Sequence, residues 1–319
     1  MTRWLRPKQG RRKRSRRIVK PERLYTGDFI GVAAPASSFR KRDFMRGIAK
    51  LGRMGFNPIY SEKIFNPAEN RAERYRNKAE RIVAMIKDPM VKAIFCAQGG
   101  YGSINLIPYL EQHDLSGCCK IIMGFSDITI LLLYFHVRYG WITFHGPMIP
   151  EIHHRMPQES EVALENALVS AKKIGDPYHH NLEVIRPGVV SGRLVGGNLT
   201  RLLRTLGTAF EIDTRGKILF LEEVDEGYLG LDGDLNHLRL AGKFHGVKGV
   251  IFSELVGCLH NSVDNIREFL KRFFRGAPFP VMFGFPSGHG EQNLTIPIGA
   301  KATMDTKTKR LYFDESGVK

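Results

Sequence analysis

From position 28 onward the apolar residues recur with two alternating periods. Residues 28–34 (DFIGVAA) form a short run of β-branched and small apolar side chains, the pattern of a strand covered on both faces. Over residues 42–54, Phe44, Ile48 and Leu51 share one helical face, and Gly55 ends the helix. The same exchange continues with a strand at 57–60, a polar amphipathic helix at 72–87, a strand at 91–97 and a helix at 104–112. A strand at 120–125, a helix at 127–139 and a strand at 142–145 complete it. Strands alternating with helices over about 130 residues predict a parallel, doubly wound sheet.

Residues 157–187 break that rhythm, with one helix (159–173) followed by Gly, Asp, Pro and His. Beyond them, strands at 189–194, 217–224, 247–252 and 310–313 and helices at 199–206 and 264–274 predict a second α/β domain with more β content. The expected class is therefore α/β: an N-terminal doubly wound, mostly parallel sheet domain (21–155) and a strand-richer C-terminal domain (189–319). A linker (156–188) joins them, and a basic arm (1–20) precedes both.

Composition adds limits. Of 319 residues, 43% are hydrophobic and 25% charged, enough apolar side chain to offset the entropy of ordering. No segment reaches the roughly 20 apolar residues of a membrane span; the richest run, 128–137, is interrupted by Thr129 and His136 and reads as a buried helix. The net charge of +16 is uneven. Ten of the 48 basic residues lie in the first twenty positions, leaving 38 against 32 acids elsewhere. The body is thus only mildly basic, and nucleic-acid binding through the arm is not the expected function; the arm reads as a solvated extension. Four cysteines without a CxxC pair give neither a disulfide framework nor a cysteine zinc site, and free thiols in a reducing compartment are expected. No apolar segment of a signal peptide follows the arginines, so the expected location is cytoplasmic.

Four groups of residues could carry chemistry, each where a strand gives way to a loop, the place where reactive groups gather in open parallel sheets. Ser126, in Gly124-Phe-Ser-Asp127, sits between a strand and a helix. It is either a nucleophile on an abrupt turn or simply the cap of the helix. Gln98-Gly-Gly-Tyr-Gly102 is an oxyanion hole, a phosphate loop that fits neither standard glycine spacing, or a tight turn with no ligand. Leu221-Glu-Glu223 ends a strand with two carboxylates, and Pro286-Ser-Gly-His-Gly290 holds His289 in a glycine-rich loop. Together Ser126, Glu222 and His289 supply a nucleophile, an orienting acid and a base, with the backbone N–H groups of Gly100 and Asp127 receiving an oxyanion. The pairs His153-His154 and His179-His180 offer a rival metal site. Adjacent side chains tend to point apart and no HExxH is present, so no metal is expected.

These motifs, in order GVAAPASS, AQGGYGS, IMGFSDIT, FHGPM, GRLVGGNLTRLLRTLGT, ILFLEEVDE, GFPSGHG and LTIPIGAKATMD, resemble the LD-carboxypeptidase family of serine peptidases. That family includes murein tetrapeptide carboxypeptidases and microcin C self-immunity peptidases. The resemblance spans about residues 22–306 and says nothing about the arm. It implies a nucleophile at Ser126, a histidine at His289 and an acid at Glu222, with Glu223 the alternative left by the doublet. It also implies an oxyanion hole at Gly100 and Asp127, a triad divided between two α/β domains, no cofactor or metal, and a homodimer. The implied substrate is a small murein peptide that loses a terminal D-alanine; the alternative is a microcin-type aminoacyl-nucleotide. For the GGNL stretch at 196–199 the expected role is a turn that brings the following helix close to the sheet.

Overall fold

In the computed structural model, which describes residues 16–65, 71–153, 156–178 and 182–319, the alternating periods fold into two sheets. The first fifteen residues of the basic arm lie outside that description. The chain opens with β1 (Phe29–Ala33), α1 (Lys41–Arg53), β2 (Asn57–Ile59), α2 (Arg71–Lys87) and β3 (Val91–Cys96). It continues through α3 (Ile107–Leu110), β4 (Ile121–Gly124), α4 (Thr129–Tyr139), β5 (Thr143–His145) and α5 (Gln158–Leu168). The second half contains β6 (Glu183–Arg186), β7 (Val189–Asn198), α6 (Leu199–Leu203), β8 (Lys217–Glu222), α7 (Tyr228–Leu240) and β9 (Gly249–Ser253). It ends with α8 (Val263–Phe273), β10 (Val281–Phe285), β11 (Ile296–Ile298), β12 (Lys301–Asp305) and β13 (Arg310–Phe313).

The first sheet has the order β11-β5-β4-β3-β1-β2 and is parallel except for β11. Its inner strands β4 and β5 are buried along their whole length, as helices on both faces require. The second sheet, β13-β12-β7-β8-β9-β10-β6, has a parallel centre (β7 to β10) with antiparallel strands at both margins. The α/β class, with a doubly wound parallel sheet and a strand-richer second half, is therefore as expected.

One apolar core connects the sheets: Phe95, Met123 and Phe144 of the first share it with Phe220, Met282 and Phe285 of the second. Helix α4 lies between them. Nine of its eleven residues are buried, in keeping with its apolar composition all round. The stretch between β10 and β11 leaves the second sheet and joins the first, where Ile296 pairs with His145. Any side chain on that loop is consequently held at the junction. No helix among the described residues is long and apolar enough to cross a membrane.

Several elements differ from the sequence expectation for identifiable reasons. Residues 183–186, expected in a connection, form β6 against β10. The expected helix 104–112 is a 3₁₀ turn followed by one short α-turn with Pro108 in its first positions, because proline suits a helix start and not its interior. Helix α7 was hidden in the sequence by Gly230 and Gly233. The expected turn at 196–199 is instead the end of a longer strand, since β7 continues to Asn198, opposite Glu222. The two glycines there do permit close approach. Gly196 has φ +137°, and a Cβ would stand 1.8 Å from the Phe220 carbonyl oxygen. Gly197, at φ +144°, would meet the side chain of Thr129 at 2.7 Å. Gly196→Ala is expected to destabilise the protein by roughly 3 kcal/mol or more, since backbone must move to admit one methyl group. Equilibrium denaturation measures this, and an unchanged midpoint would contradict the close approach.

Candidate active site

The turn after β4 is abrupt. Phe125 is still extended (φ −148°, ψ −167°), whereas Ser126 adopts φ +56°, a left-handed conformation unfavourable to residues with a Cβ. A 3₁₀ turn then leads into α4. The cap positions of the two helical turns belong to Phe125 and Ile128, so Ser126 does not serve as the helix cap. A strained strand-to-helix turn holds a serine side chain out of the sheet.

Above it lies the glycine loop after β3. A Cβ on Gly99 would fall 3.0 Å from the Cβ and 3.1 Å from the Oγ of Ser126, so glycine lets the loop sit close over the hydroxyl without crowding it. Ser37 laces the loop to the end of β1: its N–H donates to the Gly99 carbonyl (3.0 Å) and its Oγ accepts the Tyr101 N–H (3.0 Å). Gly100 has φ +99°, and its carbonyl accepts Arg201 Nη2 at 2.8 Å.

Asp127 is buried. Its carboxylate accepts the Ser103 N–H at 2.8 Å and lies 3.4 Å from Arg201 Nε. The side chain of Asp127 thus anchors the glycine loop, leaving its backbone N–H as the part of the residue at the turn. Arg201 was not singled out from sequence, although it lies in the GGNLTRLL motif. It bridges Asp127 and Gly100 from the first turn of α6.

The glutamate doublet ending β8 is divided by the pleat of the strand, which sends successive side chains to opposite faces. Glu222 Oε2 meets His289 Nδ1 at 2.8 Å with the carboxylate fully buried. Glu223 faces Asn198 Nδ2 (3.0 Å), the Thr200 N–H (2.8 Å) and the Thr200 hydroxyl (2.7 Å), and so secures the start of α6. Gly288, at φ +136°, allows the histidine loop to pass Glu222: a Cβ there would lie 3.0 Å from Oε2. The loop is closed by Asn293 Oδ1, which accepts the Gly288 N–H, and by the Ser287 hydroxyl, which donates to Leu294 O.

His289 packs edge-on against Phe125, ring centroids 4.8 Å apart, which brings the imidazole beside the neighbour of Ser126. Among the described residues its hydrogen bond is the one to Glu222, and none joins it to Ser126. Burial opposes a charge on His289, but the hydrogen bond and charge of Glu222, with Glu151 and Glu223 beyond, outweigh it and raise its pKa. Glu222 is itself raised by burial, with His289 opposing.

Two further groups near His289 were not singled out from sequence: Glu151 lies outside the quoted motifs, and His145 lies within FHGPM. Glu151 lines a cavity of about 350 Å³ together with His289, Asn293 and Phe125. Burial pushes its carboxyl up to about 7, against the hydrogen bond from Met148 N–H and the charge of His289. His145 is fully buried with neither ring nitrogen hydrogen-bonded, between Phe125 and Phe220. Burial, helped by His289, lowers its pKa to about 3, so it remains neutral.

Among the described residues no group of three His, Cys, Asp or Glu is placed to hold a metal ion. Of the two histidine pairs considered from sequence, His154, His179 and His180 lie outside the described residues.

Comparison with known proteins agrees with this architecture. The sequence pattern of the LD-carboxypeptidase N-terminal domain matches residues 30–146, and that of the LD-carboxypeptidase C-terminal domain matches residues 191–304. The chain is 32% identical over 308 residues to a probable murein peptide carboxypeptidase of Bacillus subtilis, covering 94% of this chain and 95% of that protein. It is 30% identical over 249 residues to the murein tetrapeptide carboxypeptidase of Pseudomonas aeruginosa, covering 73% and 80%. Among solved structures, the microcin C7 self-immunity protein MccF in complex with aspartyl sulfamoyl adenosine superposes with a TM-score of 0.82 at 26% identity, over 94% of this chain and all of that one. With two domain patterns in order and relatives matched along nearly its whole length, the chain belongs to the LD-carboxypeptidase family of peptidases.

Proposed function

We propose that this carboxypeptidase is a serine enzyme that hydrolyses the amide between an L-centre and a terminal D-amino acid, releasing D-alanine from murein tetrapeptide. The observation that carries the reading is the Glu222–His289 pair, 2.8 Å apart, packed against the turn that displays Ser126. In this reading Ser126 Oγ attacks the scissile carbonyl while His289 takes its proton. Glu222 holds the Nδ1–H tautomer and balances the imidazolium. The oxyanion is received by the backbone N–H groups of Gly100 and Asp127. His289 then gives the proton to the departing amine as the C–N bond breaks, leaving an acyl-Ser126 ester. Water, deprotonated by His289, hydrolyses that ester and restores the serine.

Incubation with murein tetrapeptide is expected to release D-alanine, whereas the diastereomer ending in L-alanine should be resistant. The similarity to MccF supports a second reading, hydrolysis of an aminoacyl sulfamoyl adenosine. Turnover of that compound without any release of D-alanine would replace the first reading with the second. The four free cysteines support a reducing, cytoplasmic setting for the enzyme. A homodimer is proposed as well, with the exposed Leu229 and Leu240 of α7 supplying apolar surface; sedimentation at working concentration tests it.

A further inference from the structure

Gly100 is held from two sides. From the end of β1, the Ser37 N–H donates to the Gly99 carbonyl and the Ser37 hydroxyl oxygen accepts the Tyr101 N–H, each at 3.0 Å. From α6, Arg201 Nη2 donates to the Gly100 carbonyl at 2.8 Å. Both peptide planes that meet at Gly100 are therefore fixed. In a trans peptide the N–H and the C=O point in opposite directions, so the bond at the Gly99 carbonyl turns the Gly100 N–H away from Ser37. That N–H has no acceptor among the described residues. Gly99, whose Cα shares the same plane, is the residue that borders Ser126.

Arg201 comes from the other half of the chain. Its Nε lies 3.4 Å from Asp127 Oδ1, so one guanidinium spans Gly100 and Asp127, the two residues whose N–H groups the peptidase reading assigns to the oxyanion. A planar fork of fixed donors can hold both at once, which a point charge on a flexible stem cannot. Arg201 is in turn placed by the second acid of the doublet. Its N–H donates to Asn198 Oδ1 at 3.1 Å, and Asn198 Nδ2 donates to Glu223 Oε1 at 3.0 Å. Glu223 Oε2 also accepts the N–H and the hydroxyl of Thr200. Contacts thus run without a break from Glu223 through Asn198 and Arg201 to Gly100, while the adjacent Glu222 meets His289.

We propose that Arg201 is a positioning residue that sets the oxyanion donors, and that Glu223 acts through it. The two carboxylates of the doublet then serve different parts of the reaction: Glu222 orients the base, and Glu223 fixes the donors that take the charge. This role rests on the serine-peptidase reading and extends it. Donors aimed where charge develops act on the transition state and not on bound substrate, so the role belongs to kcat. A misplacement of about 1 Å caused by a residue remote from the breaking bond can cost roughly 10²-fold.

The test is a mutant cycle on D-alanine release from murein tetrapeptide. Arg201→Lys keeps a charge for Asp127 but not the fork, and is expected to lower kcat by about 10²-fold with KM nearly unchanged. Arg201→Ala should lose at least as much and recover activity when free guanidinium is added, which a misfolded variant could not do. Glu223→Gln should lower kcat in the same way but less. The double variant Arg201→Lys with Glu223→Gln should be no slower than Arg201→Lys alone, because the second residue acts through the first. A loss confined to KM, absence of guanidinium recovery, or losses that simply add in the double variant would overturn the proposal. The rate at which diisopropyl fluorophosphate phosphorylates Ser126, with loss of fluoride, gives a readout that needs no peptide. It should slow by about tenfold in Arg201→Lys, since this step also places negative charge on an oxygen at the donors. If the wild type releases no D-alanine, the peptide assignment fails instead and the labelling rate decides. Slower labelling in Arg201→Lys then supports the role of Arg201, and equal labelling, or none at Ser126 in the wild type, overturns it.

Discussion

Replacing Ser126 by alanine is expected to lower D-alanine release by at least about 10⁴-fold, the scale on which removal of a triad nucleophile acts, while leaving the fold unchanged. Ser126 contributes its hydroxyl to no hydrogen bond among the described residues, and alanine keeps the backbone demand of φ +56°. The Glu222–His289 pair does not depend on the hydroxyl and should survive in the variant. Ser126→Gly separates chemistry from conformation. It should be equally inactive yet more stable by about 1 kcal/mol, because glycine adopts the left-handed region without the Cβ clash. In a chain of this length that is a rise in Tm of roughly 2 °C. Retained turnover in the alanine variant would remove Ser126 from the mechanism, and a lower Tm for the glycine variant would contradict the strained turn.

Glu222→Gln should reduce kcat by about 10³- to 10⁴-fold and displace the pH profile. In the proposed mechanism His289 must be neutral to accept the serine proton, so kcat/KM is expected to fall as pH drops through its pKa. That pKa stands above the ordinary histidine value because Glu222, its hydrogen bond and the neighbouring acids outweigh the burial that works against the charge. In the glutamine variant the charge is gone and the burial remains, so the acidic limb should move to lower pH. An amide nitrogen at this position can also donate to Nδ1 and place the ring proton on Nε2, the wrong tautomer for a base, which accounts for the rate loss even on the plateau. A pH profile of kcat/KM across the acidic limb is the measurement. A limb that stays in place with the activity reduced would show that Glu222 acts only as packing, and the assignment of the acid would then have to be reconsidered.

Much of this was legible without coordinates. The alternation of short apolar runs with amphipathic stretches predicted a doubly wound sheet, and the turn residues at 98–102, 124–127 and 286–290 marked where loops could carry chemistry. Other features were not legible for physical reasons. Glycines inside α7 weaken its helical signature, so that helix was not seen. Residues 183–186 are strand because β10 offers an open edge, a property of the sheet and not of those four residues. Arg201, Ser37 and Glu151 act on the site through contacts with elements remote along the chain; the first two lie in recognisable motifs, but a motif does not reveal which distant groups its residues touch.

Local periodicity and turn chemistry are properties of neighbouring residues, and for that reason the amino-acid order by itself determined the α/β class, the strand ends that could be reactive and the residue types available there. Which carboxylate of the doublet meets His289 was decided only by tertiary structure, since the partners are 67 positions apart and the pleat of β8 turns one toward the histidine and the other toward α6. The left-handed backbone of Ser126 has the same origin. Each depends on the order in which strands assemble and on the close packing between them, a sum of many weak long-range contacts that no short stretch of sequence contains.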